Sequence, residues 1–293
     1  MKKFLPILLL LCLVLTGCGS SQPASQVSAT TLPVYEFTSL LCEGTPITVS
    51  QLVTEQVSCL HDYSLNVRQV KAAEAAELFV LSGAGLEEFL EDILQNKATI
   101  DASVGIELLC PEEEAGDHEH EDHEGHHHEN DPHIWLAPEN AKIMAQNICD
   151  GLSQAYPQYR AQFSTNLEIL LARLDALQAY GESQLADLSC RELITFHDGF
   201  AYFAEAFGLT ILEAVEEESG SEASAKELIH LIEEVEHHNL PAIFTEINGS
   251  VSAADIITRE TGAGCFPLDM AMSGESYFTA MYHNIDTVKE ALE

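Results

Sequence analysis

The chain contains few basic residues: 12 Lys and Arg stand against 48 Asp and Glu, and the formal net charge is −36 at pH 7. So acidic a protein is repelled by phosphate groups, which argues against nucleic acids and anionic membranes as partners and favours cations. The apolar run over residues 4–15 is shorter than the ~20 residues that a membrane-spanning helix needs. About 275 residues remain after this run, enough for two domains with cores of their own.

Three catalytic or binding motifs are missing or incomplete. No two cysteines have CxxC spacing, so a zinc site built on thiolates is not expected. The turn at residues 82–85 lacks the Lys-Ser/Thr of a phosphate-binding loop. Residues 123–127 match the HExxH pattern formally, but that motif works only on a helix, and Gly125 and the surrounding acidic run offer no apolar helical face. A secreted zinc hydrolase is therefore the weakest alternative.

Residues 1–17 have the organisation of a secretory signal, with two lysines followed by an apolar run. The sequence Leu-Thr-Gly before Cys18 resembles a bacterial lipobox, so we expect Cys18 to become the lipidated first residue of the mature protein. Residues 18–31 are rich in Ser, Ala and Gln and are predicted to form a flexible tether. These features predict an extracytoplasmic protein attached to the bacterial cell membrane by its lipid anchor only.

Six further cysteines follow the anchor, and an even number in an exported chain permits disulfides. We predict a disulfide between Cys190 and Cys265, because both lie near predicted strands in the second half. The six are Cys42, Cys59, Cys110, Cys149, Cys190 and Cys265.

Strand and helix patterns alternate in both halves of the chain, which is typical of α/β domains with mainly parallel sheets. In the first half, short extended stretches within residues 34–37 and 47–57 precede a helix at 65–77, an apolar strand at 78–81 and a helix at 86–94. In the second half, the predicted strands are 192–196, 210–214, 241–246 and 263–268, and the predicted helices are 201–207, 224–239, 252–261 and 277–292.

Residues 156–188 have apolar residues at helical spacing over a length that would span ~45 Å as one helix. We therefore predict two α/β lobes joined by one long rigid helix. The N-terminal lobe comprises residues 32–155, the linking helix 156–188, and the C-terminal lobe 189–293.

An acidic, histidine-dense loop occupies residues 116–130 of the first half. It contains no apolar residue between 117 and 130, so we expect it to be disordered. Neutral imidazoles bind zinc, copper and nickel, and the loop is predicted to bind several metal ions weakly. Its histidines are His118, His120, His123, His126, His127 and His128.

Three histidines and one aspartate lie directly at predicted strand ends, where α/β folds place their ligands. They are His61, His133, His197 and Asp269. Three imidazoles and a carboxylate suit a four-coordinate zinc ion, whereas a carboxylate in place of a histidine would favour manganese. Asp62 and Asp198 follow two of these histidines and are candidates for holding them in place.

Several longer motifs surround these residues. They are HDYSL at 61, LFVLSGAGLEEFL at 78, the histidine loop, DPHIWLAPENA at 131, FHDGFAYFAEAFGL at 196 and ETGAGCFPLD at 260. In content and order they resemble the solute-binding lipoproteins of bacterial zinc and manganese ABC importers, the cluster 9 family. The resemblance covers nearly the whole mature chain and implies that a metal ion is captured in a cleft between the two lobes.

By this resemblance, the ligands are His61, His133 and His197, with Asp269 or a water molecule in the fourth place and Glu246 as a candidate cleft residue. The histidine loop and a histidine in the third position indicate the zinc branch. The resemblance implies that Zn²⁺ is cargo delivered to a membrane permease, and that the protein binds without catalysing a reaction. We expect a monomer. The alternatives are a metal-buffering or adhesion surface lipoprotein and a manganese-binding member.

Overall fold

The computed structural model describes residues 26–57, 60, 63–109, 130–215, 224–247, 249 and 251–293. In the first half, four parallel strands form one sheet in the order β2-β1-β3-β4. Parallel neighbours require crossover connections, which helices provide here. The strands are β1 (Val27–Ala29), β2 (Val49–Gln51), β3 (Leu78–Leu81) and β4 (Ala98–Asp101), and the helices are α1 (Leu32–Leu41), α2 (Val67–Ala75), α3 (Glu91–Leu94) and α4 (Pro138–Ala155).

The second half repeats this arrangement with a parallel sheet in the order β6-β5-β7-β8. One of its helices begins at a strong sequence signal: Ser224 and Glu227 form a capping box at the start of α7. The strands are β5 (Glu192–Thr195), β6 (Thr210–Ala214), β7 (Ala242–Glu246) and β8 (Gly264–Leu268), and the helices are α6 (Ala201–Phe207), α7 (Ala225–His238), α8 (Ser252–Thr261) and α9 (Tyr277–Leu292).

A single long helix, α5 (Arg160–Gln184), joins the two sheets. Its 25 residues span about 37 Å, somewhat less than expected, because residues 157–159 form a separate 3₁₀ turn and the helix ends at Gln184. The helix packs against α1 and α4 from the first half and against α9 from the second. At Gly181 a Cβ atom would come within 2.2 Å of the Phe207 ring, so the close approach of α6 requires glycine there.

The two halves share one apolar interior. A single cluster of buried side chains contains residues of the first half, such as Phe37 and Trp135, together with residues of the second, such as Phe203 and Tyr277. A smaller cluster lies under α7 and α8, on the outer side of the second sheet. The shared cluster fixes the position of one half against the other, and the buried face of α5 belongs to it.

Three segments of the first half differ from the elements predicted from the sequence. Residues 27–29 were predicted to belong to the tether, but β1 is a buried strand between β2 and β3. Residues 34–37 were predicted to be extended, but they lie within α1, which has Pro33 in its first turn. The edge strand β4 was not predicted. The folded part of the chain thus begins before residue 32.

The predicted disulfide between Cys190 and Cys265 is wrong, because both cysteines are free thiols in the structure. Cys190 precedes β5 and Cys265 lies on β8, and β7 lies between these two strands. Strands in a sheet are about 4.8 Å apart. Two such spacings exceed the Cα separation of about 7 Å beyond which a disulfide cannot form.

None of the helices in the described part of the chain is both long and apolar enough to cross a membrane.

Candidate metal centre

His133 lies directly before the 3₁₀ turn Ile134–Leu136 that leads into α4, and only 2% of its surface is exposed. Oδ1 of Asp131 accepts two hydrogen bonds from it, one from the backbone nitrogen and one from Nδ1, each 2.8 Å long. A carboxylate at Nδ1 keeps the proton on that nitrogen and leaves the lone pair of Nε2 for a metal ion. Asp131 therefore holds both the position and the tautomer of His133.

His197 follows β5, and 3% of its surface is exposed. Its Nδ1 lies 3.1 Å from Oε1 of Glu246, which ends the neighbouring strand β7. Gly199 lies against the other edge of the ring, where a Cβ atom would come within 2.6 Å of Cδ2. A carboxylate oxygen thus lies close to Nδ1 in both histidines, and Nε2 of His197 is on the opposite side of its ring from Glu246.

The two imidazoles, one from each half of the chain, meet with their Nε2 atoms 3.4 Å apart. The ring planes are at 84° to each other and the centroids are 5.2 Å apart. Two nitrogens bound to one tetrahedral zinc ion at ~2.0–2.1 Å lie about 3.3–3.4 Å apart. Two imidazole lone pairs that face each other in a buried site repel, and a cation between them removes the repulsion. The separation of the two Nε2 atoms therefore fits two ligands of one zinc ion.

Asp269 follows β8, and side chains and backbone atoms around it fix its conformation. Its backbone nitrogen donates to Oδ1 of Asn284 at 2.8 Å, and Nδ2 of Asn284 donates to its carbonyl at 2.7 Å. Burial raises the pKa of Asp269 above its ordinary value. A hydrogen bond from the Ala271 nitrogen and the nearby His283 partly offset this increase. A carboxylate with a raised pKa is stabilised in its charged form when a cation binds beside it.

Asp269 lines the same pocket as Glu246, the residue beside His197. Val57, from the first half of the chain, also lines this pocket, which therefore opens between the two halves. Trp135 connects the chain segments around this pocket: its Nε1 donates to the carbonyl of Met270 at 2.7 Å, and its own carbonyl accepts a hydrogen bond of 2.8 Å from the hydroxyl of Tyr277. The chain around Asp269 is thus attached to the chain that carries His133.

The structure brings His133 and His197 together and places Asp269 at the adjoining pocket. His61, Asp62, Cys18 and the six loop histidines lie outside the described residues, so their roles stay predictions. Two carboxylates of the site are not among the ligands predicted from the sequence. Asp131 was missed, although its position two residues before His133 is a signal that sequence provides, and Glu246 was only a candidate cleft residue.

Two α/β halves, one linking helix and a buried histidine pair between the halves define the class: a two-lobed α/β protein with a candidate metal site where its lobes meet. The chain belongs to the family described as the periplasmic component A of the zinc-uptake complex, whose family model matches residues 27–291.

Relatives with curated names agree with this family. The zinc-binding lipoprotein AdcA of Streptococcus pneumoniae is 31% identical across all of this chain and 62% of the relative. The zinc-binding protein AdcA of Streptococcus pyogenes is 30% identical, across 90% of this chain and 55% of the relative. This chain thus spans less than two thirds of either relative.

Solved structures share the fold. The crystal structure of ZnuA has a TM-score of 0.78 and 29% identity, over 92% of this chain and all of that one. The Zn(II)-bound ZnuA-like domain of Streptococcus pneumoniae AdcA has a TM-score of 0.74 and 26% identity, over 91% of this chain and 98% of that domain.

Proposed function

We propose that this protein is the extracytoplasmic receptor of a zinc ABC importer, which captures Zn²⁺ between its two halves and delivers it to a membrane permease. One observation carries the proposal: the buried Nε2 atoms of His133 and His197, from different halves, lie 3.4 Å apart. In each of these histidines a carboxylate lies beside the other ring nitrogen, Nδ1. Relatives whose names or structures refer to bound zinc support the same ion.

The proposed ligands are His61, His133 and His197, with Asp269 as the fourth. Imidazole-rich sites suit zinc better than manganese, which prefers oxygen ligands. Four protein ligands around the ion leave no open position for a substrate, so we propose binding without catalysis. The histidine loop at 116–130 would raise the local concentration of zinc near the cleft, without forming part of it.

The proposed attachment is through a lipid on Cys18, with residues 18–25 as the tether, and the proposed state is a monomer. We further propose that the N-terminal lobe extends to residue 155, that residues 156–188 link the lobes, and that the C-terminal lobe comprises residues 189–293. Because α5 packs against helices from both lobes, a wide hinge motion is disfavoured. Release of zinc is then expected to depend on the permease.

The test is a chelator-competition titration of the tightest zinc ion in His197→Ala. We expect the loss of affinity to exceed the ~10–100-fold typical of removing a supporting carboxylate, because a ligand itself is lost. His230→Ala is the matched control, since His230 is an exposed histidine on α7 that pairs with Glu213. Full affinity in His197→Ala would exclude the cleft site. Tighter binding of Mn²⁺ than of Zn²⁺ would assign the protein to the manganese branch.

A further inference from the structure

A second group of metal-ligating side chains lies on the last turn of α7, on the second half of the chain. Glu234, His237 and His238 each offer one ligand atom, and these atoms lie within 4.8 Å of one another. The spacing i, i+3 and i+4 places a carboxylate and two imidazoles on neighbouring positions of one helical face. None of the three belongs to the cleft, and the function proposed above makes no use of them.

The geometry around His238 is that of a prepared metal ligand. Its Nδ1 lies 2.9 Å from Oε2 of Glu192, at the start of β5, and its Nε2 lies 3.5 Å from Oε2 of Glu234. A carboxylate at Nδ1 fixes the tautomer and directs the lone pair of Nε2 toward the other ligand atoms. The carboxylate comes from a different element of the fold, so the arrangement does not result from helical spacing alone.

His237 completes the group. Its ring lies 4.9 Å from that of His238, at 84° between planes. His237 is exposed. The side chains of His238 and Glu234 are each only about one quarter exposed. The exposed ring has room to rotate toward the other two ligands.

The position at the end of α7 also favours a cation. The helix ends at His238, with Asn239 in the left-handed conformation as its cap. The C-terminus of a helix carries a partial negative charge, equivalent to about half an elementary charge. The chain as a whole is strongly acidic. Both fields attract a divalent ion to this turn.

We propose that Glu234, His237 and His238 form a second, surface-exposed site for Zn²⁺ or another divalent transition-metal ion, with Glu192 as a positioning residue. Three protein ligands leave at least one coordination position to water. The site is therefore weaker than a fully enclosed one and exchanges its ion readily with solvent. It is independent of the cleft and of the identity of the ion that the cleft takes.

The experiment counts zinc ions per chain by equilibrium dialysis in the full-length protein with its six loop histidines changed to serine. We expect the double variant His237→Ala/His238→Ala to bind one ion fewer than this parent. His230→Ala, on the same helix but outside the group, keeps the full count. Circular dichroism verifies that each variant is folded. An unchanged count in the double variant would overturn the proposal.

Two further variants separate the roles and the sites. Glu192→Gln should keep the ion count but weaken binding at this site about 10–100-fold, as expected when a supporting carboxylate is lost; unchanged affinity would remove Glu192 from the proposal. In the His197→Ala background, zinc should still shift the imidazole NMR signals of His238. If they do not shift, the second site is absent, whatever the cleft binds.

Discussion

Oε1 of Glu246 lies 3.1 Å from Nδ1 of His197, on the side of the ring opposite the nitrogen that faces His133. The two residues are 49 positions apart in sequence and meet only because β7 is the neighbour of β5 in the sheet. A carboxylate in this place favours the tautomer of His197 that carries the proton on Nδ1. This tautomer leaves the lone pair of Nε2 available for a metal ion.

Glu246→Gln should weaken zinc binding in the cleft by about 10–100-fold, because an amide beside Nδ1 no longer enforces the tautomer with a free Nε2. Chelator competition measures the change. Glu213→Gln, which alters the carboxylate beside the exposed His230, is the control and should leave the affinity of the cleft unchanged. Equal affinities for Glu246→Gln and the parent would show that Glu246 does not position His197.

Asp269→Asn distinguishes a carboxylate ligand from a water molecule in the fourth place. If the carboxylate binds the ion, the affinity falls at least ~10-fold, since a charged ligand is lost. The metal-free protein should not lose stability. Burial disfavours the charged carboxylate of Asp269, as its raised pKa shows, and a neutral amide in its place is not penalised in this way. Titration and urea unfolding measure the two effects, and Asp286→Asn on α9 is the control. Unchanged affinity would assign the fourth place to water.

Glu87 should make stability depend on pH. Burial raises its pKa from 4.5 to about 7, against hydrogen bonds from Thr30, Ser82 and Gly83 that lower it. The folded protein holds this proton where the unfolded chain has lost it, so the contribution of Glu87 to the free energy of unfolding falls as pH rises from about 4.5 to about 7 and is then constant.

Glu87→Gln removes this titration. The difference in unfolding free energy between the parent and the variant should shift by on the order of 3 kcal/mol across that interval, measured by urea unfolding at several pH values. A difference that stays constant from pH 4.5 to 7 would contradict the assignment.

Trp135→Phe should destabilise the protein by about 1–3 kcal/mol, because the carbonyl of Met270 loses its donor in a buried position. Urea unfolding measures the loss. Ile229→Val, at a side chain that is 59% exposed on α7, is the control and should change stability by less than about 0.5 kcal/mol. A fully stable Trp135→Phe variant would mean that this bond does not help to join the two halves.

Gly181→Ala should cost about 1–3 kcal/mol through overpacking, although alanine normally stabilises a helix relative to glycine. The added Cβ would lie 2.2 Å from Cε1 of Phe207. The double variant Gly181→Ala/Phe207→Leu should be more stable than the sum of the two single effects, because leucine removes the atoms that collide. Additive effects in the four-member cycle would exclude this contact as the cause.

Much of the fold follows from the sequence because its local signals agree with one another. Helices α6, α8 and α9 and strand β6 have the predicted bounds. Strands β1 and β4 have weak local signals and are not predicted. Strand β1 has three residues and follows a polar stretch, so only its two neighbours in the sheet identify it as a strand. Strand β4 buries only Ile100 and lies at the sheet edge.

The candidate site divides in the same way. His133 and Asp131 are close in sequence, so an aspartate two residues before this histidine is a local signal of their pairing. The pairing of His197 with Glu246 depends on the order of the strands, and the meeting of the two rings depends on how the halves pack. Neither relationship leaves a pattern in the chain that propensity or periodicity can reveal.

The uninterrupted apolar interior that contains both Phe37 and Phe203 has a consequence for how the protein could be divided. A fragment that ends or begins at α5 would expose to water the apolar surface that the other half covers in the whole protein. Such a fragment would be prone to aggregate. The proposed capture of an ion between the halves accordingly requires the intact polypeptide. An engineer who wished to alter metal preference would have to redesign the groove in place, rather than exchange one half for that of a relative.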